Sequence, residues 1–252
     1  QLSDESAELV LVYCELMLRI GEPSKARYWL EKLIGHTDKS ISVAATAHLS
    51  SALRDSGEFE AALTLSESKL KAAQGNTVAL LVEKGYALLS LRKYKDAIVV
   101  FEKVCRMAPL NQGYWTLLST AYKANGNSNK YKNLCDYQCF VHATELLTDS
   151  AANISFVQEL KDHLSTLHND ERHPIGQSLR NGSQTFENLL DSKHQLLQTL
   201  RRVLEERAQE FIGSLKTEKK HPFLSRLSDN LNFIGSWSVR LRRSGFHKSH
   251  YH

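Results

Sequence analysis

Proline and glycine are scarce in this 252-residue chain, which has 4 Pro and 12 Gly. That excludes a collagenous or low-complexity polypeptide and disfavours an all-β fold, whose turns consume both residue types. Four cysteines, Cys14, Cys105, Cys135 and Cys139, are too few for a disulfide scaffold and suit a reducing compartment. No apolar run approaches the ~20 residues that a membrane span requires. What remains is a chain with 42% apolar and 24% charged residues, the composition of a protein with a sizeable core. The chain opens on Gln1, so a start further upstream is expected, and a cytoplasmic location is the expectation from its composition.

Charge is unevenly divided. Residues 173–252 carry 13 Lys and Arg against 7 Asp and Glu, and the preceding residues carry 19 against 21. A nucleic-acid surface would cluster the basic residues with aromatic platforms. Here they sit on one expected helix and a short tail, so nucleic acid is not an expected partner, nor is a membrane.

Self-similarity organises the first half. Residues 78–111 read VALLVEKGYALLSLRKYKDAIVVFEKVCRMAPLN, with Gly85, Tyr94, Ala97, Phe101 and Pro109 at the landmark positions of a helix–turn–helix unit of about 34 residues. Small residues let two helices approach, aromatics fill the gap, and proline stops the second helix. Trp115, Leu118, Ser119 and Tyr122 repeat the first-helix signature one period later, followed by Gly126. Gly57, Phe59, Ala62 and Leu65 precede it by one period, and Gly21, Ala26, Leu30 and Leu33 mark a degenerate copy at the start. Buried positions are expected at Ala62, Ala97, Phe101, Trp115 and Tyr122.

Over about residues 5–145 this pattern resembles the tetratricopeptide repeat family. The resemblance implies an α-solenoid whose first helices line a concave surface, used to bind a protein or peptide. By register Ala79, Val82, Tyr86 and Leu89 face that groove. The Lys and Asn with which some such repeats clamp a terminal carboxylate are not at those positions, which argues against a chaperone-tail adaptor. Cys135 and Cys139, four apart on one expected helical face, read either as a metal pair or as two buried thiols. His36, His48, His142, His163 and His168 show no ligand spacing.

The second half changes character. Ile154, Val157, Leu160, Leu164 and Leu167 form one helical stripe that ends near Asn169 and Asp170. Residues 173–185, HPIGQSLRNGSQT, have neither helical nor strand period and read as a linker or a functional loop. A helix over about 188–216 carries Leu189, Leu190, Leu197, Leu200, Leu204, Phe211 and Leu215. Phe233, Trp237, Val239 and Leu241 then alternate with Ser236, Ser238, Arg240 and Arg242, the pattern of a half-buried strand with its apolar residues inward. Ser244 and Gly245 are expected to break that strand before a second extended segment with His247, His250 and His252. In a strand, His250 and His252 would project to one side, as two ligands of one metal must. A solvent-exposed histidine-rich tail is the other reading.

HPIGQSLRNGSQT, SWSVRLRRSGFH and the following H-x-x-H-x-H are similar to a 2-oxoglutarate/Fe(II) oxygenase family that often follows tetratricopeptide repeats. The resemblance implies a double-stranded β-helix (jelly roll) with Fe(II) at one mouth and 2-oxoglutarate beside it. It implies that His250 is the first iron ligand. His252 stands where the family usually has Asp, and His247 is a candidate for a supporting position. Gln177, Arg180 and Gln184 are candidates for lining the cosubstrate site or make ordinary loop hydrogen bonds, and Arg240 and Arg242 read as a solvated strand face or as anion grips. The distal histidine and the cosubstrate-gripping arginine would lie beyond His252, so the given residues hold the opening part of that domain. The expected organisation is therefore mainly α: helical repeats over 1–150, a connecting helix over 151–172, and the start of an oxygenase domain over 173–252. The expected function is a 2-oxoglutarate-dependent hydroxylase with a partner-binding repeat region. The alternative is a non-catalytic interaction scaffold.

Overall fold

A computed structural model describes all residues except 1–2, 74–76, 148–149, 169–176, 187, 249 and 251–252. Expectations at His173, Pro174, Ile175, Gly176 and His252 lie outside the described residues. The chain divides into two compact units, one built from residues up to Cys135 and one from Asp136–His250.

The first unit is four helix pairs in tandem. They are α1 (Asp4–Arg19) with α2 (Pro23–Leu33), α3 (Lys39–Asp55) with α4 (Phe59–Ala72), α5 (Val78–Ser90) with α6 (Tyr94–Met107), and α7 (Gln112–Ala124) with α8 (Ser128–Leu134). Each helix packs on the next in sequence. The turn inside every pair is built alike. Gly21, Gly57, Arg92 and Gly126 have positive φ, of 83°, 82°, 57° and 76°. In each turn the left-handed residue donates its N–H three residues back, and the next residue reaches the carbonyl of the residue five before it, as Glu22 does to Met17 at 2.8 Å and Lys93 to Leu88 at 2.9 Å. These are Schellman caps, which satisfy the last carbonyls of the first helix and reverse the chain. Their spacing of 36, 35 and 34 residues sets the repeat register.

Burial follows that register. Ala26, Leu30, Ala62, Ala97 and Phe101 are buried between paired helices, with Tyr122. Trp115 differs from expectation. It is half-buried at the start of α7 because its indole N–H donates to the Pro109 carbonyl at 2.8 Å, which ties the ring to the connecting turn rather than the core. Gly85 is required by close packing, since a Cβ there would lie 2.4 Å from the buried Phe101 ring. Cys135 is the residue after α8, whereas Cys139 lies in a separate short helix, α9 (Tyr137–Phe140). The expected single helical face is therefore broken by Asp136, which caps α9 by accepting from the Gln138 N–H at 3.0 Å.

The second unit holds α9, α10 (Ala151–Thr166), β1 (Leu179–Gln184), α11 (Gln195–Ser214) and β2 (Val239–His247). Helix α10 confirms the expected stripe as helical, but Ile154 and Val157 on it are exposed. Leu189 and Leu190 belong to a single 3-10 turn, and α11 begins only after His194, which caps it through Nδ1.

The strands correct two expectations. Residues 179–184 form a strand, not a loop, and β2 lies further along the chain than the alternating pattern implied. The two pair antiparallel, Leu179 with His247 and Gln184 with Val239. Ser244 and Gly245 do not end β2. Its register shifts opposite Asn181, whose φ is +52° and whose Nδ2 donates to the Arg243 carbonyl at 2.7 Å. That bulge absorbs the extra residues and lets pairing resume at Arg180 and Phe246. The residues ahead of β2 are turned opposite to expectation. Trp237 is exposed, whereas Ser236 Oγ accepts from the Leu190 N–H at 2.8 Å and the Ser238 N–H donates to Thr185 Oγ1 at 3.0 Å. Among the described residues the expected jelly roll amounts to this one two-stranded sheet.

Candidate functional site

Two places present side chains that packing does not consume. In the first unit, α1, α3 and α5 pack successively against one another, whereas successive second helices do not pack closely among the described residues. These three first helices therefore form one continuous layer of the array. On α5 the expected groove residues Val82, Tyr86 and Leu89 are half-buried, and Ala79 is exposed.

Beside them lies a charged cluster that sequence reasoning missed. The Arg54 guanidinium on α3 sits over the Tyr86 ring, 4.4 Å from its centre, and its Nη2 donates to Ser51 Oγ at 2.9 Å. Its Nε lies 3.6 Å from Glu83 Oε2. Both of those atoms are buried and neither has a hydrogen-bond partner. Burial, with a smaller contribution from Asp55, pushes the Glu83 carboxyl up to about 7 although Arg54 opposes the rise. His48, also on α3, is held below the ordinary imidazole range by burial. The missed signal was the register itself. Arg54 stands one repeat before Leu89, a position assigned to the groove.

In the second unit a cavity of about 770 Å³ is lined by His163, His168, Gln184, Asn188 and His194 among others. His168 is buried. Its Nδ1 is 2.8 Å from Ser183 Oγ and its Nε2 is 2.9 Å from Ser238 Oγ, so it joins the end of α10 to β1 and to the approach of β2. Burial, then Arg240, lowers its pKa. The His163 and His194 rings stack with centres 3.7 Å apart.

The expected iron and cosubstrate residues are distributed as follows. Gln184 is buried and lines this cavity. Arg180 turns elsewhere, donating through Nη1 to the Gln177 and Leu179 carbonyls at 2.7 and 2.6 Å. Arg240 donates to the His168 carbonyl at 3.2 Å, so it serves the local backbone. His247, at the end of β2, pairs its Nδ1 with Ser178 Oγ at 2.9 Å. The His250 Nδ1–H donates to the Lys248 carbonyl at 2.8 Å, and the two imidazole centres are 5.9 Å apart. No group of three His, Cys, Asp or Glu among the described residues converges as metal ligands would. The described residues thus do not make up a facial iron triad.

No family model matches the chain, and no curated protein does. Two solved structures are similar in part: MamA residues 41 to the end from Desulfovibrio magneticus RS-1, and the MamA RS-1 ArsTM double mutant. Each aligns with 83% of this chain and 99% of its own, at 21% identity and a TM-score of 0.46. The tandem arrangement of helix pairs is read from this chain's own helices and turns. No helix among the described residues is long and apolar enough to cross a membrane.

Proposed function

We propose that this protein is an interaction scaffold that binds an extended or helical peptide segment across α3 and α5. The observation that carries this reading is the half-buried row of Val82, Tyr86 and Leu89 on α5, with the Arg54 guanidinium of α3 stacked 4.4 Å from the centre of the Tyr86 ring. An apolar strip gives affinity, and the cation held over the Tyr86 ring fixes the surface on which a peptide would pack. The test is selection of binding peptides from a displayed library, followed by titration of the winner. Val82→Asp and Tyr86→Ala should each weaken binding about tenfold or more, with no effect of Fe(II) or 2-oxoglutarate. Selection of no peptide, or equal affinity in both variants, overturns the reading.

A second reading, that the C-terminal part belongs to a 2-oxoglutarate- and Fe(II)-dependent hydroxylase, is supported by the resemblance of residues 173–252 and by the nearness of His247 and His250. Its test is Fe(II) titration of the chain and of His250→Ala. Tight binding lost in the variant supports it, and equal weak binding removes it.

A further inference from the structure

The cavity of about 770 Å³ in the second unit has the size of a small-molecule site. Most polar groups on its wall are consumed by local bonds. His168 Nδ1 is 2.8 Å from Ser183 Oγ, and Thr185 Oγ1 accepts from the Ser238 N–H at 3.0 Å. Ser192 Oγ accepts from the His194 N–H at 3.2 Å. Asn188 Nδ2 donates to Asp191 Oδ2, and Asp191 Oδ1 pairs with Arg201 at 3.0 Å.

Three groups on the wall are left over. Gln184 is only 9% exposed, yet its side-chain amide makes no hydrogen bond among the described residues. A polar group so buried calls for a partner. The His163 ring makes no hydrogen bond either, and it stacks on His194 with centres 3.7 Å apart and planes 16° from parallel. His194 Nδ1 accepts from the Leu196 N–H at 3.4 Å, which places the proton of the neutral ring on Nε2.

The wall selects the ligand by charge, shape and edge. No Lys or Arg lines the cavity among the described residues, and its one carboxylate, Asp191, is already paired, so an ion would find no counter-charge there. Burial, then His194, lowers the His163 pKa, which favours an uncharged ring. Leu167, Leu189 and Leu197 make the rest of the wall apolar. The stacked imidazoles and the Phe186 ring, 70% exposed, offer flat faces to a flat ring. An amide presents one donor beside one acceptor, and glutamine pairs in this way with the adenine edge that carries a ring nitrogen and an exocyclic amine.

We propose that this cavity binds an uncharged aminopurine, as free base or nucleoside, with Gln184 on its amine-bearing edge and the His163–His194 stack against its ring. The site is built wholly from residues of the second unit and does not rest on the peptide-binding reading.

The experiment is calorimetric titration of the full 252-residue chain with adenine, adenosine and adenosine monophosphate. Adenine or adenosine should saturate the site, and the tighter of the two identifies base or nucleoside as the ligand. The monophosphate should bind about tenfold more weakly than adenosine, because its charge finds no partner. Gln184→Met keeps the side-chain length and removes donor and acceptor; it should weaken binding about tenfold or more. His163→Ala, at a half-buried position on α10, should also weaken binding with helical circular dichroism unchanged. Val82→Asp should leave purine affinity as it is, which separates this site from the α5 surface. No saturation by adenine or adenosine at millimolar concentration overturns the proposal, as does equal affinity in the Gln184 and His163 variants. Tighter binding of the monophosphate than of adenosine, or displacement of adenosine by 2-oxoglutarate, overturns the assignment of an uncharged ligand.

Discussion

Glu83 Oε2 and Arg54 Nε lie 3.6 Å apart on adjacent first helices, an ion pair too long for a hydrogen bond, and both atoms are buried without a hydrogen-bond partner. Their charges attract, yet burial dominates and lifts the Glu83 carboxyl from 4.5 to about 7. In the unfolded chain Glu83 loses its proton near 4.5, whereas the folded chain holds it until about 7. The folded state binds more protons across that window, so stability falls as pH rises through it. We predict that Glu83→Gln removes this fall, expected at about 1–2 kcal/mol after solvent screening. Urea midpoints measured below and above the window check it; parallel pH profiles for the two proteins would refute it.

Arg92 occupies the left-handed turn position that glycine fills at Gly21, Gly57 and Gly126. An L side chain there costs about 1–2 kcal/mol, partly offset because glycine makes the unfolded chain more flexible. Arg92→Gly should therefore stabilise the first unit by about 0.5–1 kcal/mol. Arg92→Ala, which keeps a Cβ, should gain nothing. Thermal midpoints of the two variants decide the matter, and an equal rise in both would remove backbone strain as the cause.

The same turn shows where the sequence was legible. Gly57 and Gly126 announced their turns, and Gly85, Ala97 and Phe101 announced a tight helix contact, because each local requirement admits few residue types. Arg92 gave no such sign, since its turn is imposed by the helices on either side. The second unit was harder for a related reason. Strand β1 contains Asn181 and Gly182, which read as loop residues, yet Gly182 is there because a Cβ would meet the Arg240 carbonyl at 2.6 Å. Alternation around Trp237 pointed the wrong way because hydrogen bonds to Ser236 and Ser238, invisible in a hydropathy pattern, decide which side turns inward. Of the expected site residues that the structure describes, only Gln184 reaches the cavity; its neighbours His163, His168 and His194 come from α10, the residues just after it and the cap of α11, at spacings that show no ligand pattern.

Gly85 sets a steric limit on α5. Alanine is the better helix former by about 1 kcal/mol, but its Cβ would lie 2.4 Å from the Phe101 ring, which is fully buried. Overpacking of this kind costs about 1–3 kcal/mol and wins. Gly85→Ala should therefore lower the denaturation midpoint, and Phe101→Leu in the same chain should recover part of the loss. The double-mutant cycle checks this; additive effects would mean that the two residues do not collide.

His168 tests the second unit by the opposite sign of pH dependence. Burial, then Arg240, lowers its pKa below the ordinary 6.5, so the folded state resists the proton that the unfolded chain accepts. Stability from this group is present above that ordinary value and falls as pH drops through it toward the folded pKa. The imidazole carbon-bound proton resonances of the full chain should show His168 titrating below 6.5. Arg240→Gln should move that midpoint upward, because it removes a neighbouring positive charge, although it also removes the bond to the His168 carbonyl. Ser238→Ala should cost about 1–3 kcal/mol by leaving the buried Nε2 without its partner at 2.9 Å. A midpoint at or above 6.5 in the unmodified protein would show that the ring is solvated, and with it that the bridge from α10 to the sheet is not formed.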